Sequence, residues 1–259
     1  MPQLSAIVIT KNEAANIGDC LESLAFCDER IVVDCGSTDA TVQIAKAKGA
    51  RVEFHEWRGY GRQKNFALSL ASGTWVLNLD ADERITPELE AAITAAVTDD
   101  NADAWEIPRL SNFCGRWMRH SGWYPNYVVR LFRRGKARFD DVIVHERVLC
   151  DGVVRRLRPP LIHYTMPNLE DALLRVDRYS TDKAQMLVAS GRKVTFLSGI
   201  GHGLFAFLRA YILRAGFLDG AQGFLLAVVS AETSYYPYMK AWLMRRDVRL
   251  PADRPLSNS

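Results

Sequence analysis

A chain of 259 residues with 48% hydrophobic content is long enough for one well-buried core and a smaller appendage, so one or two domains are expected. Its net charge of +3 hides an uneven distribution: residues 1–100 carry 9 basic and 16 acidic side chains, 101–191 carry 15 and 10, and 192–259 carry 9 and 4. The bases of the last part alternate with Leu, Phe, Tyr and Trp in helix-like stretches, which suits an anionic membrane surface and argues against nucleic acid as the partner.

The chain opens on MPQLSAIVIT, a strand with no basic segment ahead of it, so no signal peptide is expected. Leu4 to Ile9 reads as a buried strand, and Ile17, Cys20, Leu21 and Leu24 recur at helical spacing after it. Ile31 to Val33 is a second strand, Thr38 to Lys48 a helix stopped by Gly49, and Arg51 to Phe54 a third strand. Arg62 to Ala71 forms a helix closed by Gly73, Trp75 to Leu79 a fourth strand, and Thr86-Pro87 the start of another helix. Strands alternating with helices predict an α/β fold, a Rossmann-like, mostly parallel sheet with helices on both faces. From about Asn101 to Tyr164 the texture turns to short strands and loops rich in Arg, Trp and Tyr. Helix returns over Asn168 to Ser190, and Phe196 to Arg246 supplies two more helical stretches broken near Gly216 to Gly220. The five cysteines include no CxxC pair and read as reduced thiols. No charge-free stretch reaches the roughly 18 residues of a spanning helix.

Open α/β sheets bind ligands beyond the carboxyl ends of their strands. Here those ends deliver TKNEAANI (Thr10 to Ile17), DCGSTDAT (Asp34 to Thr41), HEWRGYGRQKN (His55 to Asn65) and LDADE (Leu79 to Glu83). Asp80 and Asp82 are two apart and can point the same way where the chain leaves the strand. Two hard oxygen ligands suit Mg2+ or Mn2+ held jointly with a diphosphate, to which Lys64 adds a point charge. Each piece alone has a plain alternative: a solvated loop for the Asp pair, a turn for Gly59-x-Gly61, a helix N-terminal charge for Asp39. Their order on four successive strand ends is what points to a nucleotide site.

These stretches, with GWYPNYVVRLFRR, VHERV, IHYT and RAGFLDGAQGFLLAVVSA, resemble the family 2 inverting glycosyltransferases of GT-A fold, and within them the lipopolysaccharide core β-1,4-glucosyltransferases. The matching segments span nearly the whole chain in the family's order; Cys35 departs from the commoner Ser. The resemblance implies a UDP-sugar donor, a divalent cation, inversion at the anomeric carbon, and a nucleotide base received at Asp34. The donor is then expected at Thr10, Asn12, Glu13, Asp34, Ser37, Asp39, Lys64, Asp80 and Ala81, and the metal at Asp80, Asp82 and His163.

Displacement at an anomeric carbon needs a base for the acceptor hydroxyl. In FDDVIVHERV, Glu146 matches the acidic position of the family's VHE motif and is the first choice, with Asp141 next; a surface ion pair with a nearby Arg is its plain alternative. His145 and His163 are open to a metal, diphosphate or structural reading. Trp117, Trp123, Tyr124 and Tyr127 are candidates for an acceptor-stacking floor or for core, and Arg130, Arg133 and Arg134 for acceptor phosphates. The chain divides into a nucleotide-sugar half (1–100), an acceptor and catalytic half (101–191) and a C-terminal amphipathic helical extension (192–259). The last, by its mixed apolar and basic faces, is read as binding the inner membrane peripherally from the cytoplasm, where a lipid-linked saccharide acceptor resides. Core packing or a dimer interface is the competing account of the same faces. A nucleotidyltransferase and a catalytically silent scaffold are the rival functions; no Gly-rich Arg/Lys loop follows the first strand, as the former requires. The absence of GxGxxG at that point disfavours an NAD enzyme.

Overall fold

The computed structural model describes residues 3–99, 101–140 and 147–246. Two compact units divide the chain, Met1–Asn112 with Trp123–Thr165, and Phe113–Gly122 with Met166–Ser259.

In the first unit, strands β1 (Leu4–Thr10), β2 (Glu29–Asp34), β3 (Arg51–Phe54) and β4 (Trp75–Asp80) alternate with helices α1 (Ile17–Glu22), α2 (Thr41–Ala47) and α3 (Tyr60–Leu70). They pair in parallel in the order β3-β2-β1-β4, which places all four carboxyl ends along one edge. β1, β2 and β4 are buried on both faces, so their side chains split between two cores, whereas the edge strand β3 is half-exposed. Leu4, Ala6 and Val8 of β1, with Val32, Trp75, Leu77 and Leu79, pack with Ile17, Leu21 and Leu24, and with Leu89 and Ile93 of α4 (Pro87–Thr98). The alternate residues Ile7, Ile31, Val33 and Val76 meet Ala67 and Ala71 at the end of α3 on the other face. Thr86 caps α4 by accepting from the Leu89 N–H (3.2 Å), with Pro87 in its first turn.

The remaining strands are β5 (Glu83–Arg84), β6 (Ala104–Phe113), β7 (Arg116–Trp117), β8 (Asn126–Arg133), β9 (Ala137–Phe139), β10 (Val148–Cys150), β11 (Val154–Arg156) and β12 (Leu161–Met166). Beyond β4 the order is β8-β6-β12-β5, with β4/β8, β8/β6 and β12/β5 antiparallel, and β9 and β10 form a separate antiparallel pair. The expected α/β architecture with C-terminal helices is therefore present, its main parallel part formed by the first four strands, with β11 also parallel to β6. Several helix boundaries differ from expectation, α3 beginning at Tyr60 and not Arg62. α2 begins at Thr41, because Thr38 and Asp39 are taken up in loop hydrogen bonds, and α1 closes by Glu22 although Leu24 is still buried.

The second unit holds α5 (Leu169–Ala189), α6 (Phe196–Leu208) and α7 (Gly220–Met244). Asn168 caps α5, and Thr195 with Ser198 forms a reciprocal capping box on α6. α6 packs on α7 through Gly199 and Gly203: a Cβ on Gly199 would stand 2.3 Å from Met239 Cε, and one on Gly203 3.1 Å from Tyr235 Cβ. Its other side leaves Leu197, Ile200, Leu204, Phe205 and Leu208 exposed. Phe196–Leu213 is long and apolar enough to cross a membrane by length and composition, with mean hydropathy 1.4 and only 17% of the window buried. A search for charge-free runs passes over it, because the window includes Arg209. Buried Asp219 accepts from the backbone N–H of His120 (2.8 Å) and Arg119 (3.2 Å) and meets His120 Nδ1 at 3.0 Å, fastening residues 113–122 into this unit.

Candidate active site

Thr10 lies opposite Asp34 in the β1/β2 register, so the loops after both strands leave the sheet edge side by side. Hydrogen bonds sew them together. The buried Asp34 carboxylate accepts from the N–H of Gly36 (2.8 Å) and Ser37 (2.9 Å) and from the Ser37 hydroxyl. Ser37 Oγ in turn accepts from the Asn12 N–H (2.8 Å), and Asn12 Oδ1 from the Thr38 N–H (2.8 Å). Asp39 accepts from the Ala14 N–H (3.1 Å) and the Thr41 N–H (3.0 Å), while Thr41 Oγ1 accepts from the Glu13 N–H (2.8 Å). Asn12 sits at φ 56°, a left-handed conformation that Asn tolerates, and Gly36 at φ 96°, where a side chain would be strained. Thr10, Asn12, Glu13, Asp34, Ser37 and Asp39 are thus brought together, and most of these carboxylates and hydroxyls shape the loops themselves. Thr10 Oγ1 is the exception, buried with no partner.

The next strand end supplies the Asp pair. Asp80 lies opposite Ile9, and its carboxylate bridges Lys64 Nζ of α3 (2.9 Å) and the Arg130 guanidinium of β8. Burial opposes its charge, yet Arg130 and Lys64 hold the Asp80 carboxyl well below the usual carboxylate range. Fully buried Glu83 supports this arrangement from behind: it accepts from the Asp80 N–H (3.0 Å), bonds Arg130, and lies 3.7 Å from Arg109.

Asp82 points elsewhere. Its Oδ2 is 3.3 Å from His163 Nε2, whose ring is oriented through Nδ1 by Ser111 Oγ at 3.0 Å. β12 holds this turn in place, with His163 opposite Glu83 and the Tyr164 N–H donating to the Asp82 carbonyl (2.9 Å). The side chains of Asp80 and Asp82, expected to point the same way, therefore part: two cations draw Asp80 inward while Asp82 faces the imidazole. Among the described residues no three His, Cys, Asp or Glu side chains gather at one point. Asp82 and His163 remain a fitting pair for a hard divalent ion that draws its other ligands from phosphate and water. Ala81, between the two aspartates, is buried, and its carbonyl accepts from Arg84 (2.8 Å).

Asp141, His145 and Glu146 lie outside the described residues. The flanks of that stretch meet: the Arg147 N–H donates to Asp140 Oδ1 (2.8 Å) and the Asp140 N–H to the Arg147 carbonyl (3.0 Å). Beside Asp80 opens a cavity of about 560 Å³, into which Lys64, Asn78, Arg109, Arg130 and Arg147 also reach.

Residues 5–157 match the family described as Glycosyl transferase family 2. A lipopolysaccharide core biosynthesis glycosyltransferase, LpsC of Rhizobium meliloti, is 33% identical over 247 residues, covering 92% of each chain. An uncharacterised glycosyltransferase of Rickettsia prowazekii is 34% identical, covering 100% of this chain and 91% of the relative. The chain belongs to glycosyltransferase family 2. The crystal structure of S. aureus TarS 1-349 in complex with UDP-GlcNAc shares the fold, with TM-score 0.50 and 18% identity over 94% of this chain and 92% of that one.

Some candidate residues of the transferase fall away from this site. Of the three arginines proposed for phosphate, only Arg130 reaches the cavity; Arg133 stacks on Trp75 (4.6 Å) and Arg134 donates to the Gly73 carbonyl (2.9 Å). Tyr127 lines the cavity with the Arg156 guanidinium over its ring (4.3 Å), whereas Trp123 and Tyr124 do not line it and Trp117 belongs to the second unit. Conversely, Glu83, Arg109, Ser111 and Asn78 were not anticipated. Glu83 directly follows the Asp pair, which was a usable signal; the other three stand in strands whose sequence gives none.

Proposed function

We propose that the transferase moves a hexose, from UDP-glucose, with inversion onto a saccharide of the lipopolysaccharide inner core or a related lipid-linked acceptor. The observation that carries this is the strand edge itself: the two sewn loops, the Asp82–His163 pair and the Lys64–Asp80–Arg130 bridge follow neighbouring strand ends, and the bridge lines a polar cavity. The relationship to LpsC supports the acceptor class.

In this reading the nucleotide-sugar lies against residues 1–100, with Thr10, Asn12, Glu13, Asp34, Ser37 and Asp39 around the nucleoside and Lys64, Asp80 and Ala81 towards the diphosphate. Mg2+ or Mn2+ would be held by Asp82 and His163, with Asp80 alongside, and would neutralise charge on the leaving diphosphate. Ser111, by fixing the imidazole through Nδ1, turns Nε2 towards Asp82, where the two would share the ion. Residues 101–191 serve the acceptor, and Glu146, the chain neighbour of cavity-lining Arg147, is the base that takes the hydroxyl proton, with Asp141 the second choice.

Residues 192–259 anchor the enzyme peripherally at the cytoplasmic face of the inner membrane. The exposed apolar side of α6 and the bases Arg192, Lys193, Arg209 and Arg214 match an anionic leaflet in both polarity and charge.

A donor screen with Mg2+ or Mn2+, read by nucleoside diphosphate release and product linkage, tests the proposal. UDP release from UDP-glucose that stops in excess EDTA and falls roughly 10²- to 10⁴-fold in Glu146→Gln is the expected result. Pyrophosphate as the product would mean nucleotidyl transfer, and no turnover of any donor a silent scaffold. Near-normal transfer by Glu146→Gln with loss in Asp141→Asn would move the base to Asp141.

A further inference from the structure

The cavity beside Asp80 is lined in part by buried polar atoms that have no partner among the described residues. Asn78 is 1% exposed, and neither its amide nitrogen nor its amide oxygen has a partner among the described residues. Arg130 Nε and Arg109 Nε are likewise buried and unpartnered. Buried polar atoms are nearly always satisfied, by protein, water or ligand, so three such groups lining one cavity mark a place built for a polar molecule.

Charge narrows what that molecule is. Among the described residues, four bases, Lys64, Arg109, Arg130 and Arg147, line the cavity against two acids, Asp80 and Glu106. Lys64 and Arg130 are engaged with Asp80, and Glu106 is paired with Arg156 (2.8 Å). Among the described residues Arg109 has only a distant ion pair, with Glu83 at 3.7 Å, and Arg147 is exposed. The positive excess therefore belongs to Arg109 and Arg147. Of the residues assigned to the donor, only Lys64 and Asp80 touch the cavity; the loops after β1 and β2 contribute nothing to its lining. An anion held at Arg109 and Arg147 therefore sits apart from the nucleoside loops, on the far side of Lys64 and Asp80.

We propose that this cavity is an acceptor subsite for an anionic sugar unit, in which Arg109 and Arg147 bind a phosphate or carboxylate and the Asn78 amide binds ring hydroxyls. Guanidinium forks match both anions, and an amide that donates and accepts matches a hydroxyl. The inference rests on the glycosyltransferase reading above and adds the charge of its acceptor.

The test is titration calorimetry on the full-length protein with Mn2+ and saturating UDP, using glucose 6-phosphate, glucuronate and glucose as probes. Both anionic sugars are expected to bind with UDP in place, at least tenfold tighter than glucose. Arg109→Gln and Arg147→Gln should each weaken the anionic probes about tenfold or more, as loss of a hydrogen bond to a charged group does, while Asn78→Leu weakens all three. Arg147 is exposed, so its variant is informative even where Arg109→Gln or Asn78→Leu disturbs folding. Competition between glucose 6-phosphate and UDP would assign the anion site to the donor diphosphate and overturn the proposal, as would unchanged probe affinity in Arg147→Gln together with a folded Arg109→Gln. If UDP does not bind, the same titration without it separates the two ideas. Probe binding that still depends on both arginines then keeps the subsite and refutes the donor assignment.

Discussion

At the residue scale, the two aspartates of the DAD turn have different work. Asp80 is locked between Lys64 and Arg130, and Glu83 carries the same guanidinium from a fully buried position. Removing one partner of a buried pair costs about 3–5 kcal/mol, so Glu83→Ala is expected to lower unfolding free energy by that order in urea titrations. Asp82 is partly exposed and faces only His163, so Asp82→Asn should change stability by less than about 1 kcal/mol while donor turnover collapses. A stable and fully active Asp82→Asn protein would remove Asp82 from the chemistry. Acid should expose the Asp80 bridge: its carboxyl titrates below the ordinary value when folded, so the stabilisation is complete above about pH 4 and is lost as pH falls through the depressed folded value. The stability gap between the wild type and Asp80→Asn, measured in urea from pH 6 downward, should stay constant to about pH 4 and then shrink.

At the element scale, the stretch RAGFLDGAQGF is explained by close approach. A Cβ on Gly223, in the first turns of α7, would stand 1.8 Å from the Gly216 carbonyl oxygen, a backbone atom that cannot swing aside. Gly223→Ala is therefore expected to separate the start of α7 from the turn at Gly216–Asp219 and to loosen Asp219 from residues 119 and 120. The cost should reach or exceed the roughly 1–3 kcal/mol typical of overpacking, read as a lower thermal midpoint. Gly201, on the same helix as Gly199 and Gly203 but with open space around it, is the control: Gly201→Ala should be neutral or slightly stabilising, by up to about 1 kcal/mol. Equal losses at both positions would show that the close approach to the Gly216 carbonyl oxygen does not govern this segment.

For the whole molecule, membrane binding is testable on the intact chain. Leu204→Glu with Phe205→Glu replaces two exposed side chains, so folding should be preserved while sedimentation with anionic vesicles falls by more than tenfold. Each base near an anionic leaflet contributes about 1 kcal/mol, so raising salt should weaken the wild type without abolishing binding, because the apolar part is unscreened. Vesicle binding by the double variant equal to that of the wild type would place the membrane contact elsewhere. Truncation is a poorer experiment than it looks from the sequence. The C-terminal helices share their unit with residues 113–122, so cutting the chain near Gly191 would strip a strand-flanking loop of its packing.

The sequence alone determined the parallel half of the sheet and the loops at its edge, because buried strands, amphipathic helices and turn residues are each written locally. Ile31-Val32-Val33 ending on Asp34, or Thr86-Pro87 opening α4, needs no distant partner to be read. It also placed Asp80, Asp82 and Lys64 at that edge, and paired His163 with the same neighbourhood through resemblance. What it left undecided lay in contacts between residues far apart in the chain. Arg130 is 50 positions from Asp80, Ser111 is 52 from His163, and His120 is 99 from the Asp219 carboxylate that holds it. Arg109 and Asn78 sit in strands whose pattern records only which face is buried. That both face one cavity follows from β8 inserting between β4 and β6, an antiparallel pairing that no local periodicity encodes.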